Sequence, residues 1–288
     1  MIPFRRILFP VDFSAACLSV VPHVREMVRL DDAELTLIHV ADPSLLIFGA
    51  DGTAALKDVP PWEELMAQEQ VRLESFARNH FPDLTPQLVL KQGDPGTMIA
   101  REVAETGTDL LMLPTRGYGL FRRLLIGSVA AKLLHDVSCA VWTGVHGLEP
   151  DQPRPAVRSM VCAVNFDDEA ETVVRAAGAL AKASSARLTL VHVVELPPMS
   201  LEIDVAPFRK SLLDAADLSL RKLAADAGLE ADVRAVEGPV AQAISAVAVK
   251  VEADLLILGR GGSQGILSQW WSHIYPVIAA APCPVLSI

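Results

Sequence analysis

Cysteines, aromatic side chains, basic residues and long apolar runs are all scarce in this chain of 288 residues. The four cysteines form no C-x-x-C pair, which argues against a zinc ribbon or a thioredoxin-type motif and favours a reducing compartment. No apolar run reaches the roughly 18 residues of a membrane-spanning helix. The apolar stretch near the N-terminus stops at Asp12, too early for a secretory signal core. We therefore expect a cytoplasmic protein with no membrane segment.

Acidic residues outnumber basic ones by 35 to 25, so the net charge is −10. A chain of this charge is not expected to bind nucleic acid or an anionic membrane by general attraction. One phosphate pocket is still compatible with it, because backbone N–H groups need no net positive charge. Apolar residues make up 51% of the chain, as in folded proteins, and its length predicts about two domains.

An internal repeat supports two domains. Residues 33–40 (AELTLIHV) match residues 186–193 (ARLTLVHV) at six of eight positions, and residues 109–113 (DLLML) match residues 254–258 (DLLIL) at four of five. The matches keep the same order along the chain, with a period near 150 residues, which indicates a tandem duplication. We expect domains at 1–145 and 157–288, joined by a proline-bearing linker at 146–156.

Within each copy, short apolar runs alternate with segments of helical period. This pattern predicts an α/β fold in which helices flank a parallel sheet. The predicted strands of the first copy lie near 5–11, 34–40, 86–91, 109–113 and 139–143, and those of the second near 159–164, 187–193, 231–236, 254–258 and 283–288. Ligands of such sheets bind beyond the carboxyl ends of the strands, so the loops after strands one, two and four are the candidate sites.

Polar groups follow the first two strands. The carboxylate of Asp12 could bind a ribose hydroxyl or a metal ion, or Asp12 and Ser14 could cap the next helix. The backbone of Val40 could contact an adenine edge. No serine or cysteine near His39 in sequence is arranged for activation, so we assign this histidine no catalytic role.

The loop after strand four combines glycine with positive charge. Gly117 and Gly119 permit close backbone approach, and Gly127-Ser128 opens a helix whose N-terminal N–H groups could hold phosphate. The nearby basic residues are Arg116, Arg122 and Arg123. A flexible glycine loop with solvated arginines and a serine cap is the alternative interpretation.

Together these motifs resemble the universal stress protein family. The resemblance rests on residues 7–14 (ILFPVDFS), residues 37–40 (LIHV), and Arg116-Gly117 followed, after nine residues, by Gly127-Ser128-Val129. It implies two tandem Rossmann-like domains, each a five-stranded parallel sheet of order 3-2-1-4-5. ATP-binding members hold the nucleotide at the strand ends, and Mg²⁺ can accompany it. The matching positions are Pro10, Asp12 and Val40 on the adenosine side, and Arg116, Gly117, Gly127, Ser128 and Val129 on the phosphate side.

Both copies depart from the family pattern. In the first, Pro114 stands where the family loop usually has its first glycine. In the second, Asn165 replaces the aspartate, and Ser272-His273 or Trp271-Ser272 stands where Gly127-Ser128 is expected. We expect the second copy to bind ATP weakly or not at all and to act as a structural partner. Trp270 and Trp271 would then pack in a core or an interdomain surface, or form an aromatic patch for another ligand.

These observations favour a nucleotide-binding stress-response protein that holds ATP in its N-terminal domain as a regulatory ligand. One alternative is a slow ATPase or a nucleotidyl- or phosphoryl-transfer enzyme, but the sequence offers no convincing base or nucleophile beside the phosphates. A ligand-free scaffold with decayed sites is the other. The chemistry of Asp12 does not by itself make it a metal ligand, and we assign no metal site.

The apolar last strands of the two copies, 137–143 and 283–288, suggest how the domains associate. An exposed strand edge favours pairing, so we predict that the domains pair with each other in one chain, leaving a homodimer and further protein partners open. After limited proteolysis within 146–156, both fragments should elute together from a size-exclusion column, at the volume of the uncut chain. Two freely diffusing monomeric fragments would contradict the prediction.

Overall fold

A computed structural model describes residues 4–42, 61–115, 126–145, 156–195, 206–260 and 267–288. The chain divides into two compact units, Pro3–Pro155 and Ala156–Ile288. The segment Pro43 to Pro61, to which the sequence assigns no role, lies outside the described residues except for Pro61. Residues 146–155 of the predicted linker also lie outside them.

The first unit alternates strands and helices as its sequence pattern predicts. Its elements are β1 (Arg6–Pro10), α1 (Ala15–Asp31), β2 (Glu34–Ala41), α2 (Trp62–His80), β3 (Gln87–Gln92), α3 (Pro95–Thr106), β4 (Leu110–Leu113), α4 (Ser128–Asp136) and β5 (Ala140–Thr143). Neighbouring strands are parallel, and their order is β3-β2-β1-β4-β5. The order 3-2-1-4-5 implied by the resemblance is therefore confirmed.

The second unit repeats this architecture. Its elements are β6 (Ser159–Ala163), α5 (Ala170–Ser184), β7 (Arg187–Val194), α6 (Ala206–Asp226), β8 (Asp232–Glu237), α7 (Val240–Lys250), β9 (Leu255–Leu258), α8 (Leu267–Ala280) and β10 (Val285–Ser287). Its strands are also parallel, in the order β8-β7-β6-β9-β10. Each unit is thus an α/β domain of the predicted kind.

The core of each domain centres on its fourth strand, β4 or β9, which lies beside the first strand on the side opposite the second strand. All four residues of β4 are buried, and so are all four residues of β9. Their sequences show no polar alternation, because helices cover both faces of the sheet at these strands.

A carboxylate fastens the start of the first strand in each domain. Asp109 accepts hydrogen bonds from the backbone N–H groups of Arg5 (2.8 Å) and Arg6 (3.0 Å). Asp254, at the matching position of the repeat, accepts from the N–H groups of Arg158 (2.9 Å) and Ser159 (3.1 Å). The repeated aspartate therefore sets where β1 lies beside β4, and β6 beside β9, at the amino edge of each sheet.

Among the described helices, none combines the length and the apolar character needed to cross a lipid bilayer.

A buried histidine makes the stability of the first domain dependent on pH. His23 lies in α1 with its ring centre 4.9 Å from that of Trp142, and burial lowers its pKa to about 4. In the unfolded chain its pKa is about 6.5. The native state therefore favours the neutral ring, and this contribution is complete above pH 6.5 and lost as the pH falls towards 4.

We predict that the free energy of unfolding falls by up to about 3 kcal/mol between pH 7 and pH 4 through this group alone. Urea unfolding across that range should show a smaller decrease for His23→Leu than for the unmodified chain. His135→Gln, at an exposed position in α4, is the matched control and should keep the original slope. Equal slopes for all three proteins would refute the assignment.

Candidate functional site

The carboxyl ends of β2, β1 and β4 lie side by side in the first domain. Chain order reverses between β1 and β4, which is where open parallel sheets bind ligands. Pro10 ends β1 and Val40 is the last residue but one of β2. Thr115 follows β4, and its carbonyl oxygen accepts a hydrogen bond of 2.9 Å from the N–H of Gly127. Arg116 and Gly117 lie outside the described residues.

The turn after β1 is built around Asp12. Its Oδ1 accepts hydrogen bonds from the backbone N–H (3.0 Å) and the hydroxyl (2.6 Å) of Ser14. Ser14 in turn caps α1, accepting from the N–H of Cys17 at 3.1 Å. Both interpretations of this motif are therefore compatible, since Ser14 is the cap and Oδ2 of Asp12 accepts no hydrogen bond from any described residue.

His39 holds the carbonyl oxygen of Val11 at the end of β1. The distance from Nδ1 is 2.6 Å, and because a carbonyl oxygen only accepts, Nδ1 carries the proton. The other ring nitrogen lies 3.3 Å from Oε2 of Glu69 on α2. Both nitrogens thus face groups of the protein, and the bond from Nδ1 fixes the ring at the end of the strand.

The ring of Phe13 packs against the residues around this turn. Phe13 has a positive φ of 60°, and its ring centre lies 4.7 Å from that of His39. The guanidinium of Arg72 lies 4.0 Å above the Phe13 ring, with its Nη1 3.5 Å from Glu69. Phe76 packs edge-on against Phe13 at 5.7 Å. This cluster was not predicted from the sequence, although spacings of three and four residues along α2 place Glu69, Arg72 and Phe76 on one face.

The first backbone donors of α4 lack partners among the described residues. Its cap is Gly127, which supplies no side-chain hydrogen bond, and the first helical bond runs from the N–H of Ala131 to Gly127. The N–H groups of Ser128 and Val129 precede that bond and have no partner among the described residues. The N–H of Gly127 itself is occupied by Thr115, so this glycine would contribute open backbone rather than a donor.

A lysine fixes α4 in place. Nζ of Lys132 donates to Oδ1 of Asp94 (3.0 Å) and to the hydroxyl oxygen of Thr97 (2.7 Å), at the N-terminus of α3. The hydrogen bonds from Thr97 and Lys132 lower the pKa of the Asp94 carboxyl below its usual range. Helix α4 is thereby tied to the N-terminus of α3.

The same edge of the second domain contains a cavity of about 300 Å³. Its lining includes Val164 directly after β6, Val191 of β7 and Leu258 of β9. His192 again holds a backbone carbonyl, that of Val164, at 2.8 Å, and its ring lies 4.3 Å from that of Phe166. The fold of the turn is thus retained in both domains.

The polar groups of the two turns differ. Asn165 and Asp167 occupy the places of Asp12 and Ser14, so the carboxylate has moved two residues along the chain. Nδ2 of Asn165 lies 3.5 Å from Oδ2 of Asp167, and Oδ1 of Asp167 accepts from the N–H of Glu169 at 3.0 Å.

Comparisons with known proteins identify the duplicated fold. The family model described as "Universal stress protein family" matches residues 3–143 and again residues 156–288. The chain belongs to the universal stress protein family. Because each match spans one of the two units, this chain contains two domains of the family in tandem.

Individual relatives agree with this assignment. A universal stress protein of Thermus aquaticus is 31% identical over 137 residues, covering 46% of this chain and 98% of that protein. One of Methanocaldococcus jannaschii is 25% identical over 150 residues, covering 46% and 88%. The crystal structure of a universal stress protein from Archaeoglobus fulgidus covers 99% of this chain and 96% of its own, with 19% identity and a TM-score of 0.70.

The second family domain departs further from the phosphate-side pattern. Its helix α8 begins at Leu267, so residues 271–273, where the sequence analysis sought the equivalent of Gly127-Ser128, lie inside the helix and not at its start. The side chains of Trp270 and Trp271 are outside the described residues. Among the parts of both family domains that the structure describes, no three side chains form a cluster suited to a metal ion.

The cysteines near the two sites are inaccessible. Cys17 lies below the Asp12 turn and Cys162 in β6; burial raises the pKa of each thiol to about 12, and the nearby Asp12 charge adds to the effect at Cys17. Cys283 is buried with a pKa also near 12. A thiol with so high a pKa supplies almost no thiolate at neutral pH.

We predict that iodoacetamide at pH 8 leaves Cys17, Cys162 and Cys283 unmodified in the native protein. The same reagent should alkylate all three in about 6–8 M urea, where the chain is unfolded. Peptide mass spectrometry before and after unfolding measures this directly. Rapid modification of any of the three in the native state would contradict the burial described above.

Proposed function

We propose that the first domain binds a nucleoside triphosphate, ATP, as a regulatory ligand at the carboxyl edge of β2, β1 and β4. The observation that carries this proposal is the presence, at that edge, of polar groups that have no hydrogen-bond partner among the described residues. These groups are Oδ2 of Asp12 and the first N–H groups of α4. They match the two ends of the nucleotide: a carboxylate oxygen accepts from ribose hydroxyls, and a helix N-terminus favours phosphate.

The backbone of Val40 supports the adenosine side of the proposal. The carbonyl oxygen of Ile38 accepts a hydrogen bond from the N–H of Val11, so the polar backbone groups of Ile38 point towards β1. Alternate residues of a strand point to the same side, so those of Val40 point the same way, beyond the end of β1. One donor and one acceptor are what an adenine edge requires.

Binding without turnover is the form of the proposal that the contacts favour. His39 and Cys17 are two described side chains near this edge that could in principle act as base or nucleophile. His39 has Val11 and Glu69 as partners, and the pKa of the Cys17 thiol is raised to about 12. These surroundings disfavour both groups as activators of water or a hydroxyl. We therefore infer that occupancy by ATP, with or without Mg²⁺, alters a surface read by partner proteins.

We predict that calorimetric titration of the full chain gives one saturable ATP site and that Asp12→Asn weakens it by about 10- to 100-fold. A hydrogen bond to a charged group contributes about 1.5–3 kcal/mol, which corresponds to that range. Asparagine keeps an oxygen for Ser14 but replaces the free carboxylate oxygen by an amide that cannot accept. Gly127→Trp, which fills the open start of α4, should abolish binding.

Asn165→Ala is the matched control in the second domain and should leave ATP affinity unchanged. Unchanged affinity in both Asp12→Asn and Gly127→Trp, or loss in Asn165→Ala, would contradict the proposal. Titrations with AMP and a cyclic nucleotide measure how much of the binding depends on the triphosphate. Assay of ADP release in the same samples tests the enzymatic alternative.

A further inference from the structure

The cavity of the second domain has no role in the function proposed above. At about 300 Å³ it lies at the lower end of the sizes of small-molecule pockets. Its interior is apolar, with the strand residues already named and with Val173, Ile244 and Val277 from the helices. A ligand that occupies it would therefore bury an apolar body.

The polar part of the lining is negatively charged. Asp167, Glu169 and Glu195 contribute three carboxylates, and the described lining residues include no lysine or arginine. Arg260, which follows the lining residue Gly259, is not itself part of the lining. Such a site repels a polyanion such as ATP and attracts a cation.

In the first domain, an arginine covers the aromatic ring that corresponds to Phe166. Phe13 and Phe166 are equivalent in the repeat, and each contacts the histidine that holds the strand-end carbonyl. The guanidinium of Arg72 lies on Phe13 beside the carboxylate of Glu69. The cluster is an aromatic ring, a cation and an acid, a combination in which the ring and the carboxylate both attract the positive group.

The second domain retains the ring and the acids but lacks the cation. The offset of 145 that relates β3 to β8 takes Arg72 to Asp217, which pairs with Arg221 at 2.7 Å. Phe166 is 44% exposed, and among the described residues no lysine or arginine, Arg221 included, lies over its ring. Both chain neighbours of Phe166, Asn165 and Asp167, line the cavity, as does its ring partner His192.

We propose that the second domain binds a small organic cation, an amine or guanidine attached to an apolar body. Its charged group would take the position over Phe166 that Arg72 takes over Phe13, beside Asp167 and Glu169. Its apolar body would fill the cavity between Val164, Leu258 and the helices. This site is independent of nucleotide binding in the first domain, so either proposal can fail alone.

Titration of the full-length protein with hexylguanidinium, observed by ligand NMR or calorimetry, tests the site. Hexanol and hexanoate are the neutral and anionic probes of equal chain length. We expect one saturable site for hexylguanidinium, at least about tenfold weaker binding of both other probes, and weakening by added salt. ATP should not displace the cation.

Variants locate the site. Asp167→Asn, Glu169→Gln and Phe166→Ala should each weaken hexylguanidinium by about two- to fivefold, the range of exposed ion pairs and cation–π contacts. Asparagine at 167 keeps the acceptor for the N–H of Glu169, so the turn is preserved. Glu230→Gln, an exposed acid before β8 at the opposite edge of the sheet, is the matched control and should bind as the unmodified chain does.

Four results would overturn the proposal. These are no saturable binding, equal binding of hexanol with no effect of the acid variants, preference for hexanoate, and displacement of the cation by ATP. Thermal unfolding of each variant distinguishes a lost contact from a lost fold. If one of the acid variants, Asp167→Asn or Glu169→Gln, unfolds, the other is used, so at least one acid is tested in a folded chain.

Discussion

One hydrogen bond, repeated in both domains, determines where the functional groups lie. At the end of the first strand the chain must leave the sheet, and the side chain of His39 holds the carbonyl oxygen of Val11 at that point. His192 holds Val164 in the same way. Because the carbonyl is fixed, the next residues follow a similar path in both domains: an aromatic ring contacts the histidine, and polar residues flank that ring at the carboxyl edge of the sheet. The chemistry of each site depends on which side chains stand on this common turn.

The two turns differ by charge and not by fold. In the first domain, Ser14 caps the helix. One carboxylate oxygen of Asp12 and the first N–H groups of α4 have no partner among the described residues. In the second, Asp167 takes the place of the serine, and the nearby acids make the crevice negative. The proposals of a phosphate ligand at one site and a positive group at the other rest on this difference of a few polar atoms, because both turns stand at the same edge of their sheets.

Much of this arrangement could be predicted from the sequence. The repeat and the runs 110–113 and 255–258 led to the parallel sheets and their strand ends, since apolar pattern reports burial directly. The cover of Phe13 by Arg72 could not be predicted, because residues 59 positions apart meet only when α2 packs on β2. Likewise, the bond from Gly127 to Thr115 uses a donor that the motif alone leaves free. The acids of the second crevice were missed because convergence on a cavity has no periodic signal.

The aspartates that fasten the first strands have a consequence for protein engineering. Asp109 and Asp254 act at the amino edge, as far from the crevices as each sheet allows. The residues that fix the strands of each sheet are therefore separate from the residues proposed to select a ligand. Short segments of one site can be exchanged for those of the other without changing Asp109 or Asp254. A single chain therefore offers two equivalent scaffolds in which binding specificity can be recombined.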